Sequence, residues 1–148
     1  RDVLGSRGLG DVYKEVAARR ANYQTLYEGL KDCPGIILPV AEENSNPSWF
    51  GFLIAVKEDA GFTRNELTGY LEENKIQTRN LFAGNLIKHP AFDQMRRTGE
   101  GYRQVGDLKN TDFVMNNTFW IGVYPGMTAE MNAWMIECIS KFCKEHAK

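Results

Sequence analysis

Apolar residues recur at helical intervals between Asp11 and the Pro34-Gly35 pair. Val12, Val16, Tyr23, Leu26, Tyr27 and Leu30 share one side of the spiral, while Lys14, Arg19, Arg20 and Lys31 occupy the polar side. Asp11 stands where an N-cap or first-turn acid belongs, and Pro34-Gly35 stops the pattern, so one long amphipathic helix is predicted. Residues 1–10, with glycines at 5, 8 and 10, read as a loop or frayed end. Ile36, Ile37, Leu38 and Val40, interrupted by Pro39, predict an edge strand, and the Asn/Ser/Pro-rich stretch from Glu42 to Ser48 a loop. Phe50 to Val56 reads as a buried strand in which Gly51 marks a close approach. Thr63-Arg64-Asn65-Glu66 is a capping box, and Leu67, Tyr70 and Leu71 continue it as a short helix to about Asn74.

Ile76 to Phe82 predicts a strand that dissolves into Ala83-Gly84-Asn85. Residues 86–110 are loop-like, with Gly99, Gly101 and Gly106 and a helical turn near Pro90 to Met95. A further turn of helix is predicted over Thr111 to Asn116, and a strand over Phe119 to Val123, closed by Pro125-Gly126. Thr128 then caps a final helix whose core stripe is Met131, Trp134, Met135, Cys138, Ile139 and Phe142. The order helix, strand, strand, helix, strand, strand, helix implies an α+β fold: a small mixed, mainly antiparallel sheet with helices on one face.

Composition narrows the function classes. The chain has 148 residues, 43% hydrophobic and 25% charged, which argues against both a disordered chain and a membrane span. Net charge is −1, so nothing marks the surface for nucleic acid, and the pairs Arg19-Arg20 and Arg96-Arg97 read as solvated charge. Three cysteines without a secretory signal favour reduced, inert thiols in a cytoplasmic protein; Cys138 and Cys143, five apart on a helix, point about 140° away from each other. His89 precedes a proline in a loop and His146 is nearly terminal, and no Ser/His/Asp order, metal-ligand cluster or phosphate loop is present in the sequence.

Chemistry concentrates in two places. In Thr78-Arg79-Asn80-Leu81-Phe82-Ala83-Gly84-Asn85 an arginine, an aromatic and an asparagine meet where a strand ends, at the mouth of a cleft; Arg grips phosphate or carboxylate with a fork and Asn reads hydroxyls. In Asn116 to Gly126 the aromatic run through Trp120 and Tyr124 serves equally as core packing or as a stacking face for a sugar or base.

The segments Ile76 to Asn85, Asn117 to Gly126, Pro47 to Phe52 and Ala17 to Tyr23 together resemble the C-terminal signatures of CDP-4-keto-6-deoxyglucose 3-dehydratases. These are lipopolysaccharide (O-antigen, dideoxysugar) biosynthesis proteins of the DegT/DnrJ/EryC1/StrS aminotransferase-like family. The match runs from about residue 11 to the end, while Leu4 to Gly10 fits less well. The resemblance implies the C-terminal small domain of a fold type I pyridoxal-phosphate enzyme: residues 1–33 a loop and long connecting helix, residues 34–148 the small α+β domain. It implies substrate contacts from Arg79, Phe82 and Asn85, with Trp120 and Tyr124 nearby, and a CDP-4-keto-6-deoxyhexose substrate. Pyridoxamine or pyridoxal phosphate and a [2Fe–2S] cluster would be bound upstream of Arg1, with no catalytic, cofactor or metal residue in this chain, which alone would be inactive. An iron–sulfur flavin reductase partner and a homodimeric full-length protein are implied too. Where the family's aminotransferases carry Gly-x-His-aromatic at this strand end, the sequence reads Arg79, Asn80, Leu81, Phe82; Leu81 neither titrates nor hydrogen-bonds, which favours dehydration over amination. The alternatives are a nucleotide-sugar aminotransferase domain and, in another class, a non-catalytic sugar- or protein-binding module.

Overall fold

The computed structural model describes residues 9–148, with side chains from Val12 onward. The loop expected over residues 1–8 lies outside the described residues. Helix α1 (Leu9–Leu30) begins two residues before Asp11 and buries Tyr23, Leu26 and Leu30, while Val12 and Tyr13 are exposed, so only its second half packs on the core described below.

Four strands follow: β1 (Ile36–Ile37), β2 (Gly51–Val56), β3 (Thr78–Asn80) and β4 (Thr118–Gly122). They lie in the order β1-β2-β4-β3, and all three pairings are antiparallel, so the mainly antiparallel sheet expected is antiparallel throughout. The strand expected over Ile36 to Val40 shrinks to two residues at the sheet edge, just before Pro39, which cannot donate to a ladder. Directly opposed residues of an antiparallel pair share a face. Phe52, Ile54, Val56, Phe119, Ile121 and Val123 thus form the inner face, each 1% exposed or less.

The outer face carries Leu53, Trp120 and Arg79 in one row across three strands. Here β2 departs from the fully buried strand expected: Gly51, Leu53 and Ala55 are only half-buried. Those positions are apolar too, which hides the period of two in the sequence. The close approach at Gly51 is to an aromatic ring, since a Cβ there would sit 2.9 Å from Trp120 Cε3.

Helices cover the inner face. In α2 (Arg64–Glu73) the capping box is formed: Glu66 N–H donates to Thr63 Oγ1 (3.3 Å) and Thr63 N–H to Glu66 Oε2 (2.7 Å). Thr63→Ala is expected to cost about 1 kcal/mol, read as a lower urea midpoint with unchanged slope. Helix α5 (Ala129–His146), capped by Thr128, buries Cys138, Ile139, Phe142 and Cys143 in one cluster with Leu26, Leu30, Leu67 and Leu71. Cys138 and Cys143 diverge on the spiral yet both are buried, because α1 and α2 each pack against α5.

Met131 and Trp134 were expected in the core stripe but are 42% and 46% exposed. Trp134 lies along the surface with its indole N–H donating to the carbonyl of Asn74 (3.1 Å), and Met131 Sδ lies 3.6 Å from the Tyr124 hydroxyl. No described helix is long and apolar enough to cross a membrane.

Arg19, Arg20 and Arg96 correct the expectation of solvated charge, whereas Arg97 is exposed as expected. Arg19 donates to the carbonyl of Val123 (2.6 Å), and Arg20 to those of Asn46 (2.6 Å) and Pro47 (3.2 Å). Asn22, one turn from Arg19, donates to the carbonyl of Tyr124 (2.9 Å), and Tyr23 stacks on Trp49 at 4.3 Å with its hydroxyl on the carbonyl of Pro39. A guanidinium beside strand-end carbonyls finds acceptors that sequence spacing does not reveal. The segment from Arg19 to Tyr23 therefore clamps both the 39–49 loop and the exit of β4.

Candidate functional site

The site is built from the end of β3. Glu72, in the last turn of α2, accepts from both the N–H (2.5 Å) and the hydroxyl (2.8 Å) of Thr78, and these bonds hold its carboxyl below the ordinary glutamate value. With Thr78 fixed, period-two alternation turns Arg79 to the outer face opposite Trp120. Among the described residues the Arg79 side chain makes no hydrogen bond or ion pair, so the guanidinium is available to a ligand. Phe82, 75% exposed, meets the Trp120 ring edge-on at 6.4 Å, and Phe50 meets it from the β2 side at 5.0 Å.

Ala83 (φ 58°) and Gly84 (φ 60°) then take left-handed conformations and reverse the chain. Gly84 is required twice over, since a Cβ would stand 2.7 Å from Met115 Cγ in a backbone region that L side chains rarely adopt. Asn85 turns inward and is 4% exposed. Its Nδ2 donates to Asp112 Oδ1 (2.8 Å), its Oδ1 accepts from Ile87 N–H (3.2 Å), and its own N–H points at Met115 Sδ (3.2 Å).

Helix α4 (Lys109–Asn117) is the mould for this turn. Asp112 and Met115, one turn apart on one face, receive Asn85. Asp112 also pairs with Lys88 (2.7 Å), and the bonds from Lys88 and Asn85 hold its carboxyl below the ordinary aspartate value. The far end of α4 is pinned by Arg64 on the carbonyl of Met115 (2.9 Å) and by Asn117 on that of Val56 (2.9 Å). Between α4 and the strand end lies a cleft of about 270 Å³, lined by Leu81, Phe82 and Gly84 on one side and Asn110, Thr111 and Val114 on the other.

The chain between the turn and α4 is shaped by 3-10 turns at Leu86–Lys88 and Pro90–Phe92 and a short helix, α3 (Asp93–Thr98). Arg96, expected to be solvated, instead donates to the carbonyls of Ile87 and His89 and pairs with Asp93. His89 caps the second 3-10 turn, its Nδ1 accepting from Ala91 N–H (3.2 Å).

Of the five residues singled out in the sequence, Arg79 and Phe82 both meet Trp120 on the outer face, and Asn85 is buried in the following turn with its side chain committed to Asp112 and Ile87. Tyr124 stands apart, its carbonyl held by Asn22 and its hydroxyl near Met131 on α5. Sequence reasoning missed Asn110, Thr111, Asp112 and the Arg19/Asn22 clamp. The i, i+3 spacing of Arg19 and Asn22 was the available signal for the clamp; Asp112 left none, since its partners are 24 and 27 residues away.

Cys138 and Cys143 are buried, whereas Cys33 is half-buried with Sγ 3.2 Å from Ser140 Oγ. A hydrogen bond with Cys143, helped by Ser140, draws the Cys33 thiol down to about 6, while the same bond and burial push Cys143 up. Among the described residues no group of three or more His, Cys, Asp or Glu stands together as metal ligands would.

Residues 3–140 match the model of the DegT/DnrJ/EryC1/StrS aminotransferase family. The dTDP-4-dehydro-2,6-dideoxy-D-glucose 3-dehydratase of Saccharopolyspora spinosa is 50% identical over 126 residues, covering 85% of this chain and 26% of that protein. The lipopolysaccharide biosynthesis protein RfbH of Salmonella typhimurium is 47% identical over 141 residues, 95% of this chain and 31% of that protein. Among solved structures, Escherichia coli GDP-4-keto-6-deoxy-D-mannose-3-dehydratase with bound hydrated PLP superposes with TM-score 0.73 at 22% identity, over 88% of this chain and 32% of the other. DesV of S. venezuelae, in complex with a ketimine intermediate, gives TM-score 0.73 at 21% identity, over 92% and 34%. The two structural likenesses establish a shared fold, and the chain spans between a quarter and about a third of the length of these four proteins.

Proposed function

This chain belongs to the DegT/DnrJ/EryC1/StrS aminotransferase family, and from that premise we propose that it is the substrate-side domain of a pyridoxamine-phosphate-dependent 3-dehydratase. The substrate proposed is a CDP-4-keto-6-deoxyhexose, on the route to dideoxysugars of lipopolysaccharide O-antigen, in the cytoplasm. The observation that carries this reading is the end of β3. An unpaired guanidinium stands opposite Trp120, whose ring is flanked by Phe82 and Phe50, and Leu81 lines the adjoining cleft where the family's aminotransferases carry histidine. High identity to a protein named as a 3-dehydratase and to one named for lipopolysaccharide biosynthesis supports it.

In this reading Arg79 grips the diphosphate with its fork and Phe82 and Trp120 offer faces for stacking. Asn85 keeps the turn in shape, whereas Tyr124 stands apart, tied to Asn22 and near Met131, and takes no part in this reading. The two histidines do not fit a cofactor anchor: His89 caps a 3-10 turn and His146 is stacked on Phe142 at 4.2 Å. The described cysteines do not gather as cluster ligands either. The proposal places pyridoxamine phosphate, a [2Fe–2S] cluster and most of the homodimer contact in the part of the full-length protein outside this chain, which spans about a third or less of the length of its relatives. An iron–sulfur flavin reductase is the proposed source of electrons.

The test is to assay the full-length protein, with such a reductase, on CDP-4-keto-6-deoxyglucose in the presence and absence of glutamate. The expected product is the 3-deoxy sugar, with no amino sugar under either condition. Amino-sugar formation would overturn the dehydratase reading, and turnover of the dTDP sugar alone would replace the nucleotide while leaving the chemistry.

A further inference from the structure

We propose that the cleft between the end of β3 and α4 is the sugar-ring subsite. Asn110 and Thr111 read the ring hydroxyls, and Leu81 and Val114 receive the C6 methyl of a 6-deoxyhexose. This rests on the dehydratase reading and names, within it, the residues that set sugar specificity.

The two walls differ in chemistry. Leu81 and Phe82 present hydrocarbon side chains and Gly84 only backbone, and Phe82 is exposed enough to lie against the C–H face of a sugar ring. The α4 wall presents a carboxamide and a hydroxyl beside one aliphatic side chain. Neither Asn110 nor Thr111 makes a side-chain hydrogen bond among the described residues, whereas Asn85 and Asn117 have theirs committed to the fold. The orientation of α4 is not free to change. Asp112 is tied inward to Asn85 and Lys88, and Arg64 and Asn117 fix the far end, so the helix register holds Asn110, Thr111 and Val114 against the cleft. At about 270 Å³ the space lies just under the range of ~300–1,000 Å³ of ligand clefts, a size suited to one ring with the nucleotide lying outside toward Arg79. A hydroxymethyl group in place of the methyl would bury its hydroxyl against Leu81 and Val114 without a partner, which is unfavourable.

The experiment uses the full-length protein and compares KM for CDP-4-keto-6-deoxyglucose with the competitive inhibition constant of CDP. Asn110→Ala and Thr111→Val are each expected to raise KM about tenfold, the loss of roughly one hydrogen bond to a buried ligand group. The inhibition constant of CDP should stay within about twofold, since CDP lacks the sugar. Thr111→Ser, which restores the hydroxyl, should restore KM. A parallel rise in both constants, unchanged constants, or failure of Thr111→Ser to recover would each overturn the assignment. A wild-type protein that neither turns over nor binds any nucleotide sugar would instead remove the dehydratase reading, and this one with it.

Discussion

Phe119→Ala is expected to destabilise the domain by about 3–5 kcal/mol, the range for truncating a fully buried phenylalanine. Phe119 is 0% exposed, sits on β4 between β2 and β3, and opposes Ile54 on one side and Asn80 on the other. Its ring belongs to the single cluster that joins the sheet to α1, α2 and α5, so the space left behind cannot be filled without moving several elements. Set against a total of about 5–15 kcal/mol for a folded domain, that loss removes at least about a fifth of the stability. Urea denaturation followed by circular dichroism is the measurement. The neighbouring Trp120→Ala is the control: its ring points to the outer face and is only half-buried, so its cost should be clearly smaller. Equal costs for the two would contradict the assignment of inner and outer faces.

Arg79→Ala should act in the opposite way, on function without stability. The Arg79 side chain makes no hydrogen bond or ion pair among the described residues, so its removal should move the melting temperature of this chain by no more than about 1–2 °C, as expected for an ordinary surface change. In the full-length protein the same change is expected to raise KM about a hundredfold or abolish turnover, on the scale of about 2–5 kcal/mol for deleting one member of a buried charge pair. Arg79→Lys should recover part of this only, because an ammonium cannot form the two-pronged contact. Unchanged kinetics would remove Arg79 from the site, and a large drop in melting temperature would assign it a structural role.

Local chemistry was legible in the sequence and distant pairing was not. The Thr63 box, the Thr128 cap and the long first helix are decided within a few residues, and each stands where the pattern placed it. The strand over Phe50 to Val56 was legible as a strand, but its one-sided burial was not, since apolar residues occupy both faces. Met131 and Trp134 match the helical stripe of α5, but a tryptophan whose N–H has an acceptor at Asn74 is stable at the surface. At the site, the clustering of Arg79 with Phe82 could be read from their shared strand end. The opposite wall could not, because Asn110 and Thr111 reach Leu81 and Phe82 only through the fold, held there by a carboxylate, Asp112, whose partners lie a full excursion away.

The brevity of the outer strands has a consequence for how this domain meets its neighbours. At one border β1 offers two residues before a proline; at the other β3 offers three, and the amide of Thr78 is already occupied by Glu72. Open borders of a sheet are templates for another chain's backbone, and these two leave little to copy. The domain is thereby guarded against strand-by-strand aggregation, and any contact it makes with another chain falls to side chains rather than to shared strand ladders.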